Sequence, residues 1–172
     1  MKNLFLIAII VLGFSGISFG QASATATASA TIVTPISISN AGDMDFGTVA
    51  VQTATGGTVI LTTAGGRSTG GAGGVTLPAF NLGTITAAHF AVVGEKDYTY
   101  SITLPSSDVT VISGANNMIV NAFTSTPTAT AGKLNGTGTQ TIDVGATLNV
   151  KPAQAAGTYI TTTPFTVTVN YN

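Results

Sequence analysis

The residues from which chemistry could be built are few in this 172-residue chain: one histidine, six carboxylates, no cysteine and no tryptophan. His89 stands in Ala87-Ala88-His89-Phe90-Ala91, where alternation sets it opposite the apolar Ala88 and Phe90, as a surface-facing strand histidine. A nucleophilic triad needs a carboxylate to orient the imidazole and a serine in front of it. Zinc needs about three or four nitrogen or sulfur ligands. Asp43 and Asp45 flank Met44 and would share one face of a strand. Such a pair either contributes to a calcium site, which takes about six to eight oxygens, or is simply solvated. Paired carboxylates can hydrolyse glycosides, but no tryptophan is present as a sugar platform. The glycine-rich stretch 65–74 lacks Gly-Lys-Ser/Thr and leads into a strand at Val75, so it reads as a flexible hairpin excursion rather than a phosphate cradle. Asn135-Gly136-Thr137 spells a glycosylation sequon too short to carry weight. These residues predict no enzyme, no catalytic residue, no metal site and no cofactor.

Residues 1–20 read as an address. Lys2 is followed by an apolar run from Leu4 to Leu12, and the segment closes on Ser18-Phe19-Gly20. This is the pattern of a cleaved secretory signal, with the cut before Gln21. A membrane span needs about 20 predominantly apolar residues, and Gly13, Ser15 and Gly16 dilute this one. The expected location is therefore secreted, extracellular or on the cell surface, reached through the periplasm, with no membrane span after cleavage. Charged residues make up 6% of the chain, against about 25% in ordinary soluble domains. Beyond residue 20, Arg67, Lys96, Lys133 and Lys151 face Asp43, Asp45, Glu95, Asp97, Asp108 and Asp143, a net charge of −2. No basic cluster could neutralise a run of phosphates or hold a membrane surface, which argues against a nucleic-acid partner. Export permits disulfides, yet without cysteine the fold must rest on burial and sheet hydrogen bonds.

The dominant period is two. From Ala22 to Ile38 the even positions are alanine or isoleucine except Thr34, and the odd ones are serine or threonine except Val33 and Pro35. Only an extended chain gives that pattern two distinct faces. Pro35 cannot donate to a central ladder, so residues 21–35 are predicted to be an extended arm or edge strand and 36–172 a separate domain. Further strands are predicted over 36–39, 44–51, 57–62, 75–82, 89–93, 98–104, 108–112, 118–123, 140–150 and 159–171. Turn signals separate them and no window has helical spacing, which points to an antiparallel β-sandwich. A membrane barrel is the closed alternative, but the aromatics are too sparse for girdles.

Three stretches carry a family likeness: Ala24-Thr-Ala-Thr-Ala-Ser-Ala-Thr-Ile-Val-Thr-Pro-Ile with Met44-Asp-Phe-Gly-Thr-Val; Gly94-Glu-Lys-Asp-Tyr-Thr-Tyr-Ser-Ile-Thr-Leu-Pro; and Val144-Gly-Ala-Thr-Leu-Asn-Val with Ala156-Gly-Thr-Tyr and Phe165-Thr-Val-Thr-Val-Asn-Tyr. In these the chain resembles the bacterial DUF4402 family and, more distantly, the spore coat protein U and fimbrial-subunit families. The resemblance implies a secreted immunoglobulin-like sandwich with no enzymatic role. It also implies polymers in which one subunit lends its N-terminal arm to the next, here residues 21–33. The ending 158–171 is similar to the strand by which such subunits engage a periplasmic chaperone, although the cysteine pair of many pilins is absent.

Two functions follow. As a self-assembling structural subunit, the chain would add its arm to a sheet edge of another copy or another surface subunit. Ala26, Ala28, Ala30 and Ile32 would then enter a groove, and Phe165, Val167, Val169 and Tyr171 would pair along the terminal strand. The same arm can also fold back as the chain's own first strand. As a monomeric adhesin or carbohydrate-binding module, the chain would need an aromatic site, for which Tyr98, Tyr100 and Phe80 are the candidates.

Overall fold

The computed structural model describes residues 20–172, which divide into two units between Ile32 and Val33. The expected signal segment lies, but for Gly20, outside the described residues. From Gly20 to Ile32 every residue is exposed and none is in a strand.

The second unit is built from β1 (Ser37–Gly42), β2 (Ala50–Val51), β3 (Gly57–Leu61), β4 (Arg67–Gly70), β5 (Val75–Thr76), β6 (Ala88–Val93), β7 (Thr99–Thr103), β8 (Val109–Ser113), β9 (Asn116–Thr126), β10 (Gly132–Lys133), β11 (Thr139–Val150), β12 (Ile160–Thr161) and β13 (Thr168–Tyr171). Every strand pairing is antiparallel. The long sheet runs β1-β6-β11-β9-β8-β12, and the β3–β4 hairpin joins it along β11. A three-stranded sheet runs β10-β7-β13, and β2 pairs with β5.

The expectation of an all-β antiparallel fold is met. A plain two-layer sandwich is not, because the long sheet curls into a half-barrel and the smaller sheets cover only part of it. The cause lies in β11. Its 12 residues outrun any one neighbour: Thr139–Val144 pair with β6, and Ala146–Val150 pair with β3. Ile142, Val144, Ala146, Leu148 and Val150 all face inward from it, as a strand period of two requires. On its other edge β9 carries a bulge, Ala122 and Phe123 opposing the single Ala146, with Ala122 at φ 50. The extra residue bends the strand and changes which parity faces the core: Met118 and Val120 point inward before the bulge, Phe123 after it.

Two apolar cores result. The first lies between β1, β6, the start of β11 and the three-stranded sheet, and centres on Val92, Tyr100, Leu134, Ile142 and Val144, all fully buried. The second gathers Val59, Val75, Val111, Met118, Val120, Leu148 and Val150. Met44 and Phe123 pack against both.

Several expected strands are shorter. Of 44–51 only β2 and an Asp45–Thr86 bridge pair, and of 75–82 only β5. The terminal strand 159–171 is divided between two sheets, β12 pairing β8 and β13 pairing β7. Pro164 sits in the break, where it removes a donor and holds Thr163 out of the helical region. The glycine-rich stretch is no loose excursion: Arg67–Gly70 is β4, in register with Thr58–Leu61.

Replacing Ile142 by Ala in the sealed core should lower unfolding stability by about 2–5 kcal/mol. Ile60→Ala, on the outer face of β3 and 40% exposed, should cost under about 1 kcal/mol. Urea titrations of both variants test this.

Candidate functional site

The curl of the long sheet leaves the second core open along one side. A groove of about 1100 Å³ runs there, above the roughly 300–1,000 Å³ usual for small-molecule pockets. Its floor is Val111, Met118, Val120, Leu148 and Val150, and its banks are the Met44–Val51 segment and the Gln154–Phe165 segment. The floor residues keep 4–8% exposure, as do Ile102, Val167 and Val169 in the first core. The groove is lined by apolar side chains of the second core and lies between the two banks.

Both banks are poor in regular pairing. On one, Asp45 bridges Thr86 and the Thr48 amide donates to the Leu82 carbonyl at 2.6 Å, but no ladder forms before β2. On the other, Thr162–Val167 belong to no strand. The first bank is pinned by the chain's sole arginine. Arg67 Nη1 donates to the carbonyls of Phe46 at 2.6 Å and Thr48 at 2.7 Å. Gly47 between them sits at φ 66, where a Cβ would strike the Leu82 carbonyl at 2.4 Å. The sequence shows Arg67 only as a lone charge in a glycine run, with no sign of the carbonyls it reaches.

A second arrangement holds the root of the arm. The Thr34 amide donates to Glu95 Oε2 at 2.9 Å, and the Tyr171 hydroxyl donates to the Thr34 carbonyl at 2.8 Å while accepting from the Glu95 amide. Gly94 leaves room for that hydroxyl, since a Cβ there would lie 2.3 Å from it. The Thr34 amide, with a smaller contribution from the Lys96 charge, holds the Glu95 carboxyl below its ordinary 4.5.

The predicted interaction residues separate into groups. Ala26, Ala28, Ala30 and Ile32 are all exposed, Ile32 at 97%. Val169 pairs with Ile102 and Tyr171 with Tyr100 in the terminal strand. Val167 precedes that strand in the first core, and Phe165 lies in the break, its ring 5.0 Å from Phe123 and 6.2 Å from Phe90. The adhesin candidates do not form a site. Tyr100 is fully buried with its hydroxyl donating to Gln140 Oε1 at 2.6 Å, while Tyr98, before the strand, is 44% exposed and stacks edge-on against Tyr171. Phe80 is 84% exposed.

The chemical candidates resolve likewise. His89 faces outward as expected, but it does have a carboxylate, Asp143 Oδ1 at 2.6 Å from Nδ1, its cross-strand partner. No Gly-x-Ser-x-Gly elbow is expected from the sequence, yet Gly66-Arg67-Ser68-Thr69-Gly70 has that spelling. That motif needs a strand-to-helix turn, and here it occupies the antiparallel strand β4. Asp43 accepts from Asn40 Nδ2 at 2.7 Å and Asp45 from the Gly47 amide at 2.7 Å. Each closes a local turn. Asn135 does the same, its Oδ1 accepting from the amides of Thr137 and Thr139. Among the described residues no group of three or more His, Cys, Asp or Glu could hold a metal, and no helix is long and apolar enough to cross a membrane.

Two titrations test these contacts. The Glu95 carboxyl is depressed in the folded state, so the clasp is fully formed above about pH 4.5 and weakens as pH falls through the lowered folded value. The Thr34 amide resonance should move through that acid transition, and in Glu95→Gln it should not. Burial pushes Tyr100 up to about 12 from 10. Its contribution is present below pH 10 and lost as pH rises toward 12, so one of the four tyrosines should resist ionisation in ultraviolet titration, and Tyr100→Phe should abolish that step.

Searches of curated proteins and of solved structures each return no match. A family model does match, described as Domain of unknown function (DUF4402), over residues 36–171, which takes in every strand above. By that match across most of its length, the chain belongs to the DUF4402 family.

Proposed function

We propose that this protein is a secreted structural subunit of a bacterial cell surface, of the fimbrial type, which attaches to its neighbours by adding residues 21–35 as a strand to another molecule. The observation that carries it is the arm: a strict Ala/Ile against Ser/Thr alternation in a segment that is exposed and unpaired from Gly20 to Ile32. Alternation is useful only to a chain with two different faces, and a chain gains them only by joining a sheet. Alanine adds about 0.8 kcal/mol for a buried CH₂-sized group, so main-chain bonds must do most of the holding.

The remaining parts of the proposal follow from this. Residues 1–20 act as the export signal, and 21–35 and 36–172 form arm and domain. The facing of the β10-β7-β13 sheet against β1-β6-β11 supports an immunoglobulin-like ancestry, and with it the distant likeness to fimbrial subunits. A domain with an open apolar groove needs cover before assembly, which makes a periplasmic chaperone a reasonable partner besides other surface subunits. The monomeric adhesin is the weaker reading, because Tyr100 is sealed away from any ligand.

Gel filtration of the processed protein, with and without residues 21–33, is the discriminating measurement. The full form should run as oligomers or filaments and the shortened form as a monomer. Identical monomeric profiles would sink the subunit reading.

A further inference from the structure

We infer that Gln21, once residues 1–20 are removed, is a modification site: its side chain closes onto its own α-amine to give the arm a pyroglutamyl end. This rests on reading residues 1–20 as a cleaved export signal, and it adds a chemical fate for the end that the cut exposes. Removal of the segment ending Ser18-Phe19-Gly20 leaves a glutamine with a free α-amine. The amine nitrogen attacks the side-chain Cδ, a C–N bond forms to close a lactam ring, and the Cδ–Nε2 bond breaks. Ammonia leaves, taking a proton from the amine, so neither oxidant nor reductant is needed. The attacking form is the neutral amine. An α-amino group titrates at about 7.7–8.0, so a share of it is neutral at physiological pH.

The surroundings leave this reaction open. Gln21 is exposed and outside every strand, and the small side chains of Ala22 and Ser23 follow it. The other glutamines differ. Gln52, Gln140 and Gln154 lie within the chain, where the backbone nitrogen is an amide and no nucleophile. Gln140 Oε1 also accepts from the Tyr100 hydroxyl and the Lys133 amide, and Gln154 Nε2 donates to the Asn117 carbonyl and the Tyr159 hydroxyl.

The consequence is electrostatic. Over residues 21–42 no side chain carries a charge, and the first that does is Asp43. A free α-ammonium would therefore be the sole charge of the arm, set at its tip. Such a group must stay hydrated or find a counter-charge, and this chain has few charges to offer. Ring closure removes it, as blocking of a chain end does in general, and leaves a lactam N–H and carbonyl that need only hydrogen bonds. It also denies an aminopeptidase the amine it recognises, so the exposed alternating segment keeps its full length.

The test uses the full chain, exported with its own residues 1–20, its intact mass being read at neutral pH directly after purification. The expected mass is that of residues 21–172 less one ammonia. Stepwise degradation from the N-terminus should yield no sequence until pyroglutamyl aminopeptidase is added, and should then read Ala22-Ser23-Ala24. Gln21→Ala should restore a readable end. A general aminopeptidase that leaves the parent at full length should shorten this variant into the arm. A chain that starts at Gln21 with a free amine overturns the proposal while the export reading stands. A chain that starts at any other residue overturns both. A parent trimmed as readily as Gln21→Ala overturns the proposal as well.

Discussion

The fold depends on β11. One strand whose inward side chains run unbroken from Ile142 to Val150 serves both apolar cores, and it does so by changing neighbours halfway along a single edge. With no disulfide available, this shared ladder is what makes two half-cores one domain. The bulge in β9 is the necessary companion. Without the extra residue at Ala122–Phe123, the parity that places Met118 and Val120 inward would carry Phe123 out to solvent. With it, Phe123 packs where the cores meet.

The same arrangement leaves one core closed and the other open. Three strands close the first, and their contribution includes the Tyr100 hydroxyl bond to Gln140, which satisfies the one polar group that such a large side chain brings inside. The second receives only the two-residue pair β2–β5 and two irregular segments. The irregularity is chemical in origin: Gly47 at positive φ and the Asp45 turn interrupt one bank, and Pro164 interrupts the other. A strand passing through either place would meet a residue that cannot hold ladder geometry.

Much of this was legible from alternation. Thr99–Thr103 and Thr139–Val150 lie within a residue or two of their expected bounds because one face of each is buried and the other wet. Partner geometry was not. Tyr98 and Tyr100 share a parity, yet only Tyr100 is within a strand and sealed, since Tyr98 precedes the ladder and faces its edge. β4 was hidden because glycine and serine give no propensity signal, and it exists only because Thr58–Leu61 supply the ladder. The clasp joins residues 61 and 137 positions apart in sequence. No local pattern encodes such a contact, and the groove itself is an absence of pairing, to which a sequence has no direct pointer.

An exposed two-faced arm and an open core are each a hazard when considered singly, for both invite indiscriminate association. The sparse charge of the chain supplies little defence against it. The clasp narrows the hazard by geometry. Two hydrogen bonds hold the backbone of Thr34, and the following proline keeps it extended, so little conformational freedom remains at that residue. The arm's weakness works toward the same end. Alanines offer too little apolar area to adhere strongly to an arbitrary greasy surface.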